Sequence, residues 1–352
     1  MVVYATREDV MRALDVKLTA RNSAQIDRAL ESASRDVESL CHRTFVPNLA
    51  SKSFDYPGPQ TGRPWRLWLD ANELISVTTL SSGGVVIGST DFFLEPNEYG
   101  PPYNRIEIDL SSSAAFSSGD THQRAITVTG LWGYRNDETT VGVLAGAVAT
   151  TTATTITVNG TASAQLGVGS VIRIDDERLI VTGRSMADTG QNLGSTIDQQ
   201  LKTVTVPVAD GTQFAMDEVI LIDSERMLIV DIAGNQLTVK RAWDGSPNAE
   251  HTNGADIYAP RSLTVQRGAL GTTAATHTNS TAVVRWDPPG LVQDLVIAEA
   301  IARLGNEQAG YSKTRRTGDG GASERAVDAN ALSGLRQRVY QAHGRKGQVR
   351  SV

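Results

Sequence analysis

Apolar residues repeat every three or four positions in two segments near the start of the chain, which predicts two amphipathic helices. The first helix is expected to begin at Thr6, whose hydroxyl can cap the chain while Asp9 reaches back from three residues later. The second helix is expected to begin near Ser23 and to end near His42. Cys41, the single cysteine, falls on the apolar side of this helix and is interpreted as a small core residue.

Two more helices are predicted near the other end of the chain. Pro288-Pro289-Gly290 precedes a broadly apolar segment, and Gly305 is placed to end the helix that this segment forms. The stretch from Gly318 to Ser323 is interpreted as a flexible hinge because of its glycine content. The last helix is expected from about Glu324 to His343.

Short segments between positions 65 and 130 alternate apolar and polar residues, which is the pattern of strands with one buried face. Ser82-Gly83-Gly84 separates two of these segments and predicts a hairpin turn. Strands are expected at 65–69, 75–80, 85–87, 91–94, 105–108 and 125–130. The stretch from Val143 to Thr157 is rich in Ala, Gly and Thr, and it is interpreted as a linker that enters further β structure.

The middle of the chain contains two internal echoes, which predict a duplicated β module. Segments that return 48 positions later are 155–158 with 203–206 and 171–181 with 219–229. Segments that return 26 positions later are 237–241 with 263–267 and 251–253 with 277–279.

The order of these halves suggests how the modules are connected. The first module has its early strands at 155–181 but lacks a second half directly after them, whereas the second module has both halves. The nested hypothesis is that the spare half at 263–284 completes the first module, because each module would otherwise expose an unpaired edge. The alternative is a linear array in which 263–284 pairs mainly with the second module.

These patterns predict an α+β fold with a helical core and a small antiparallel sheet, interrupted by an all-β inserted domain built from two repeats. With 352 residues, the chain is longer than one hydrophobic core usually serves. The core is expected to comprise 1–140 and 285–352, and the inserted domain 141–284. The repeats within the inserted domain are 155–181 and 203–229, followed by 237–258 and 263–284.

Composition excludes several classes of protein. No apolar run approaches the length of a membrane span, and the N-terminal residues lack the basic-then-apolar pattern of a secretory signal. A single cysteine cannot form an internal disulfide, so the chain suits the reducing interior of a cell. The net charge of −6 argues against a surface that binds nucleic acid everywhere.

Positive charge is concentrated in the last forty residues, where Lys and Arg outnumber Asp and Glu. One interpretation is a solvated basic tail, and the other is an arm, from about residue 311, that docks on a partner protein. The candidate residues of this arm are Arg315, Arg316, Leu332, Leu335, Arg336, Arg338, Val339, Tyr340, Arg345, Lys346 and Arg350.

Acidic turns and two equivalent histidines are the candidates for chemistry. The candidates are Asp175, Asp176 and Glu177 in one module, Asp223 and Glu225 in its copy, and His251 and His277. Calcium needs six to eight oxygen ligands, and zinc needs three or four ligands with no cysteine available here. We therefore interpret the acids as hairpin turns, with the pairs Glu177/Arg178 and Glu225/Arg226 exposed, and the histidines as loop hydrogen-bonders. No catalytic motif is present, and no cofactor or metal is expected.

Both flanks contain short motifs that are distinctive in combination: a helical start that ends in His42-Arg43-Thr44-Phe45, the strand around Leu74-Ile75-Ser76-Val77, and Ile126–Tyr134, which ends in Gly-Leu-Trp-Gly-Tyr. With these motifs, the flanks resemble the head–tail connector (adaptor) family of long-tailed bacteriophages. In that family, such a strand is soon followed by a Pro-started helix rich in Ala and Leu. Here that helix starts at Pro288, about 150 residues late, so the β module resembles an insertion. The resemblance covers about 1–135 and 286–352.

The module is itself similar to small β modules of many phage virion proteins. This similarity is carried by Glu225–Ile229 with Leu237–Gly245, and by Arg267–His277 downstream. It supports a virion component more than any particular task.

The connector resemblance implies a structural, non-enzymatic protein at the neck of the virion, made in the host cytoplasm. Such a protein forms a ring of twelve copies beneath the portal, extends the DNA channel and gives the tail a docking surface. Its implied partners are further copies of itself, the portal protein, and a stopper or tail-completion protein. Double-stranded DNA would pass without specific binding, and no membrane partner is expected.

Three other functions stay open at this point. The chain could be a different virion part, such as a stopper, a tail-completion protein or a decoration protein. It could be a carbohydrate-binding β module on a helical anchor, for which Trp243 and Tyr258 are nearly the only aromatic candidates in the module. An enzyme is the third alternative, which the lack of a catalytic motif disfavours.

Overall fold

The computed structural model describes residues 2–14, 20–58, 62–308, 314–316, 323–325 and 332–345. The chain is mostly β, with 36% strand and 22% helix. The predicted fold class, a helical core interrupted by an all-β inserted domain, is therefore wrong. The reason is that residues 48–132 bury their apolar side chains on seven strands, so that sheets dominate this part of the chain as well.

The described residues contain five helices and nineteen strands. The helices are α1 Arg7–Leu14, α2 Ala20–Cys41, α3 Gly160–Gln165, α4 Gly290–Gln308 and α5 Ser333–His343. The first eight strands are β1 Asn48–Phe54, β2 Arg66–Trp68, β3 Leu74–Ser82, β4 Val85–Ile87, β5 Phe92–Glu95, β6 Arg105–Ile108, β7 Ile126–Trp132 and β8 Glu138–Val143. The others are β9 Thr155–Thr157, β10 Val171–Ile174, β11 Glu177–Asn192, β12 Thr205–Pro207, β13 Val219–Ile222, β14 Glu225–Ala233, β15 Gln236–Lys240, β16 Asp256–Gln266, β17 Ala282–Trp286, β18 Thr314–Arg316 and β19 Ser323–Arg325.

The predicted helix starts are confirmed for α1 and α4, but two other helix limits are wrong. Thr6 and Asp9 exchange the expected capping bonds, since each backbone N–H donates to the other's side chain at 2.9 and 3.1 Å. Helix α4 continues past Gly305, because a single glycine weakens a helix without ending it. Glu324, the expected start of the last helix, lies in β19. The proposed hinge lies outside the described residues except for Ser323.

The chain divides into two compact units, each assembled from separate segments. The first unit comprises Met1–Val37, Glu138–Ala269 and Thr273–Gln341. The second comprises Glu38–Asp137, Leu270–Thr272 and Ala342–Val352. The boundaries of the two units differ from those of the predicted domains. That the predicted domains fold independently stays a prediction.

The second unit is built on two small antiparallel sheets. The four-stranded sheet has the order β1-β7-β3-β4, and the three-stranded sheet has the order β2-β6-β5. The predicted β3–β4 hairpin is confirmed, with Ser82 paired to Val85 across the Gly83-Gly84 turn. Buried residues from both sheets, including Leu74, Ile106 and Trp132, form one core.

The first unit contains the duplicated module within a ten-stranded antiparallel sheet. Strand β10 pairs with β17, and β11 pairs with β16 over residues 180–192 and 256–266. Strand β9 also pairs with β16, at Thr155–Thr157. The spare half at 263–284 therefore completes the first module. This confirms the nested hypothesis and excludes the linear array.

The two modules have separate hydrophobic cores. The core of the first includes Ile156, Leu179 and Val265, and the core of the second includes Ile220, Met227 and Val239. Strand β16 is shared by both modules. Its first residues pair with β13, its later residues pair with β9, and β11 pairs with it along its whole length.

The composition of the stretch 143–157 suggested a linker, and this interpretation is wrong. Leu144 is buried and bridges Val158, and Val148 is buried and bridges His277. The many small residues of this stretch gave no sign that it is anchored on the sheet, because a few apolar side chains are enough to anchor an irregular segment. Separately, none of the helices in the described ranges combines the length and the apolar content that crossing a membrane requires.

Candidate functional site

Both modules place an aspartate and a glutamate at a tight hairpin turn, and this turn organises the candidate site. Asp175 and Asp223 are the first turn residues and have φ of 49° and 51°, a left-handed conformation that Asp tolerates better than most residues. The next strand begins two residues later with Glu177 or Glu225. Both glutamates are buried, and they are 1% and 0% exposed.

In the first module, five donors surround the Glu177 carboxylate. Oε1 accepts from Arg267 Nε at 2.7 Å and from the Gly268 backbone N–H at 2.8 Å. Oε2 accepts from Arg267 Nη2 at 2.7 Å and from the Ala275 N–H at 3.0 Å, and it lies 2.8 Å from His277 Nε2. The carboxylate therefore holds together a loop that leaves the sheet at residue 267 and returns at 277.

The second module repeats this arrangement around Glu225. Oε1 accepts from Arg241 Nε and from the Ala242 N–H, each at 3.0 Å. Oε2 accepts from Arg241 Nη2 at 2.7 Å and from the Ala249 N–H at 3.0 Å, with His251 Nε2 at 3.0 Å. We call these two groups the Glu–Arg–His clusters: Glu177, Arg267 and His277 in the first module, and Glu225, Arg241 and His251 in the second.

Each arginine also reaches the segment that enters its module. Arg267 donates to the carbonyls of Thr150 and Ala153, and Arg241 donates to those of Asp198 and Gln200. The Arg241 side chain is completely buried. Its partners are backbone carbonyls and a single carboxylate, so the guanidinium is fully engaged by its own chain.

Each histidine links the turn aspartate to the buried glutamate. His277 Nδ1 lies 2.8 Å from Asp175 Oδ2, and His251 Nδ1 lies 2.7 Å from Asp223 Oδ2. Both imidazoles are buried, whereas both aspartate side chains are 60% exposed. The histidines therefore act as loop hydrogen-bonders, which confirms that interpretation.

The surroundings of the two glutamates fix their charge. Burial on its own would raise the pKa of Glu177, but the hydrogen bonds from Arg267, from two backbone N–H groups and from His277 outweigh it and lower that pKa to about 2. The same balance of burial against Arg241, His251 and backbone donors lowers the pKa of Glu225 to about 2. Both groups are carboxylates near neutral pH, so neither has a proton to donate as a general acid.

The buried carboxylates of the clusters have all of their lone pairs engaged. Five donors occupy the lone pairs of each buried carboxylate, which leaves none to coordinate a cation. Within the described part of the chain, no group of three or more His, Cys, Asp or Glu side chains has a geometry suited to a metal ion. The arrangement can hold two loops in place.

The prediction that the glutamate–arginine pairs are exposed is wrong for all four residues, of which Arg226 is half-buried. Glu177 and Glu225 are buried, and Arg178 is only 6% exposed. Arg241 and Arg267 were missed as site residues. The repeat with an offset of 26 residues could have revealed these two arginines, because each of them precedes the histidine of its cluster by ten positions.

A second cluster lies in the second unit around Tyr134. The rings of Phe45 and Tyr134 meet edge to face at 5.5 Å, and the Arg43 guanidinium lies 4.5 Å above the Tyr134 ring. Gly133 donates its N–H to the Glu73 carbonyl at 2.9 Å. Its φ of 142° and its approach to Val46, whose oxygen would lie 2.6 Å from an added Cβ, explain why glycine occupies this position.

Residues at the end of α5 join this Tyr134 cluster. His343 Nδ1 lies 3.2 Å from the Tyr134 hydroxyl. Arg345 donates its backbone N–H to the Cys41 carbonyl at 2.9 Å and its guanidinium to the carbonyls of Asp70 and Ala71. Burial lowers the pKa of His343, and the positive charges of Arg43 and Arg135 lower it further.

The other residues of the hypothetical arm are distributed over several environments. In the first unit, Arg336 pairs with the buried Glu299 at 2.8 Å, and Val339 is completely buried. Leu332 and Leu335 are half-buried, while Arg338 and Tyr340 are exposed. Arg315 and Arg316 lie in β18, and Lys346 and Arg350 lie outside the described residues.

Trp243 and Tyr258, the aromatic candidates for sugar binding, are both half-buried. The Lys240 ammonium lies 4.6 Å from the centroid of the Trp243 ring and covers one face. Tyr258 lies within β16, where it pairs with both β11 and β13.

Comparisons with known proteins leave the assignment to the chain's own residues. No protein-family model, no curated protein and no solved structure matches this chain.

Proposed function

We propose that this chain is a structural virion protein, a head–tail connector subunit that forms a ring between the portal and the tail and extends the DNA channel. The observation that carries the proposal is the Tyr134 cluster. Phe45, Glu73 and Tyr134 come from, or lie beside, the three N-terminal segments on which the family resemblance rests. The Phe45 ring contacts the Tyr134 ring, and the Glu73 carbonyl accepts from the neighbouring Gly133 N–H.

The chemistry of the duplicated module supports a structural role. Its buried Glu177, Glu225, His251 and His277 belong to residue types that catalysis often uses, and each of them binds groups of its own chain. A module whose polar core is saturated in this way is suited to a rigid part of an assembly.

Exposed apolar residues support assembly with other proteins. Ten large hydrophobic residues are exposed within the described ranges, and five of them fall between positions 85 and 110 of the second unit. These five are Val85, Val86, Phe93, Tyr99 and Leu110. Such side chains are typical of surfaces that another protein covers.

Electron cryomicroscopy of the virion, with a reconstruction that resolves the neck, tests the proposal directly. We expect density for this chain as a closed ring between the portal and the tail. Density for the chain on the capsid surface, in the tail tube or at the tail tip would exclude the connector assignment and favour another virion part.

Assembly onto isolated portal rings tests which surface is used. Val86→Asp places a charge at a position that is 65% exposed, so it should leave the fold intact and reduce the share of chain that sediments with the portal. Val230→Asp, at a position 49% exposed in the second module, is the matched control and should assemble normally. Equal sedimentation of both variants with the portal would show that residues 85–110 are not part of the interface.

The hypothesis of a portal-binding arm is better tested with a surface substitution than with a truncation. Arg336, His343 and Arg345 contact their own chain, so deleting them would damage the fold and leave the result ambiguous. Arg338→Glu reverses an exposed charge on the same helix. If this helix is part of the portal-binding arm, portal binding should weaken while the circular dichroism spectrum stays unchanged. Unaltered binding would leave the helix out of the interface.

A further inference from the structure

Each buried histidine ring faces two carboxylate oxygens, which limits the number of protons that the ring can carry. In the second cluster, Nδ1 and Nε2 of His251 lie 2.7 and 3.0 Å from carboxylate oxygens of Asp223 and Glu225. In the first cluster, both nitrogens of His277 lie 2.8 Å from oxygens of Asp175 and Glu177. A neutral imidazole carries one N–H, so it can donate to only one of these two oxygens.

The carboxylates cannot supply the missing proton. Each buried glutamate already accepts from an arginine and two backbone N–H groups, so a proton on its oxygen would displace one of those donors. Each aspartate side chain is 60% exposed and remains hydrated, which favours its ionised form. Donation from both ring nitrogens is the arrangement that satisfies all of these atoms.

Charge balance leads to the same conclusion. The charged groups that face His277 are Asp175, Glu177 and, through Glu177, Arg267. With an imidazolium, this cluster contains two negative and two positive charges. With a neutral imidazole, the cluster would carry one net negative charge.

We propose that His251 and His277 are imidazolium cations in the folded chain and that each closes its module with a bound proton. The proton has a mechanical consequence because the same histidines anchor backbone. His251 exchanges two backbone hydrogen bonds with Ile197, both at 2.9 Å, and His277 does the same with Val148 at 2.9 and 3.0 Å. Loss of the ring proton removes one side-chain anchor from each of these closures, so the loops at 242–250 and 268–276 should open at alkaline pH.

Nitrogen NMR of the full chain, with label in the histidine rings only, tests the proposal. The chain has five histidines, and His251→Gln and His277→Gln assign the two rings in question. At about pH 7.5, we expect these two rings to show two protonated nitrogens each, with slow exchange of the ring N–H groups. A single protonated nitrogen in either ring would overturn the proposal for that module.

A matched pair of turn variants provides a second measurement that does not depend on removing the histidine. Asp175→Asn removes the exposed charge that faces His277 while keeping an acceptor oxygen, so the second ring proton should be lost at a lower pH. Asp176→Asn changes the same charge one residue later, on a side chain with no described contact to His277, and it should leave the ring signals unchanged. Identical behaviour of the two variants would contradict the role of Asp175.

Thermal unfolding gives the energetic side of the test. A proton that the folded chain holds and the unfolded chain releases makes stability fall as pH rises. The wild-type melting temperature should therefore fall by a few degrees between about pH 6 and pH 9, and the His251→Gln/His277→Gln double variant should lose less over the same range. A wild-type profile as flat as that of the double variant would show that the rings bind no extra proton on folding.

Discussion

The two β modules build the same cluster from residues at very different separations along the chain. In the second module, Glu225 bonds Arg241 and His251, which follow 16 and 26 residues later. In the first, Glu177 bonds Arg267 and His277, which follow 90 and 100 residues later. The hydrogen-bond distances are nearly equal. Strand register therefore determines this site, and proximity in sequence is not required.

The long separation costs the first module little. A flexible connection of 90 residues in place of 16 would cost about 1.5 kcal/mol more in closure entropy. Here the connection is the folded second module, whose ends, Asn192 and Asp256, are paired in the sheet and joined by a side-chain hydrogen bond of 2.7 Å. A folded insertion with adjacent ends behaves as a short turn.

The modules also differ in two details. Residue 218 in the second module is a buried glutamate that pairs with Arg261 at 2.8 Å, and the equivalent residue in the first is Ser170, which accepts from Gly167. After the cluster arginine, the first module has Gly268 at φ 56°, whereas the second has Ala242 at φ 53°. These differences distinguish what the cluster requires from what it tolerates.

Removing the second module is the largest change and tests whether the first stands alone. Replacing residues 188–258 with Asn-Gly joins Ala187 to Ala259, which are paired across the sheet. No residue of the first module's core lies in the deleted range, so this module should keep its strands and its cluster. The variant should carry Arg261→Ser as well, because its partner Glu218 is deleted. Circular dichroism and thermal unfolding would measure the result, and a chain without cooperative unfolding would show that the modules depend on each other.

Removing either glutamate should reveal which module supports the other. Glu225→Ala leaves the buried Arg241 without its counter-charge and should cost about 3–5 kcal/mol. Because the second module extends from strands of the first, this loss should produce a separate early transition in calorimetry. Glu177→Ala should cost a similar amount and lower the main transition instead. Glu250→Ala, at an exposed position, is the control. A single early transition in both variants would mean that the modules unfold together.

Acid should weaken both modules through the same groups. The folded pKa of about 2 for Glu177 and Glu225 lies below the ordinary glutamate value of 4.5, so their contribution is fully present above about pH 4.5 and is lost as pH falls towards 2. The loss is on the order of 3 kcal/mol for each cluster. Urea unfolding at several pH values would measure it, with Glu177→Gln/Glu225→Gln as the comparison. An equally steep acid loss in that double variant would assign the effect to other carboxylates.

Exchanging the residue after the arginine should give the smallest effect. Ala242→Gly relieves a left-handed conformation that is unfavourable for alanine and should stabilise the second module by about 0.5–1 kcal/mol. Gly268→Ala should destabilise the first module by a similar amount. Hydrogen exchange of strand amides would assign each change to its module. Changes of the same sign in both variants would mean that backbone strain is not what distinguishes these positions.

Sequence repetition predicted the nesting of the modules, because the early strands of the first module lack a second half directly after them. Strands β16 and β17 provide this second half by pairing with β11 and β10. Strand periodicity likewise located β3, β4 and β6. The fold class was predicted wrongly because the helical segments have the clearest periodicity, whereas short strands contribute most of the buried residues. The burial of Glu177 was missed because a charged residue at a turn is usually exposed, and only the distant Arg267 makes its burial favourable.

The nested order of the strands has a consequence for synthesis on the ribosome. The second module has all of its strands by Gln266, so its cluster can form while the chain is still being made. Glu177 must wait for His277, 100 residues later, which at roughly 5–20 residues per second is about 5–20 seconds. During that interval Glu177 lacks its arginine and histidine partners, and the early half of the first module exposes apolar strands. The second module therefore completes its strands first, although the first module begins earlier in the chain.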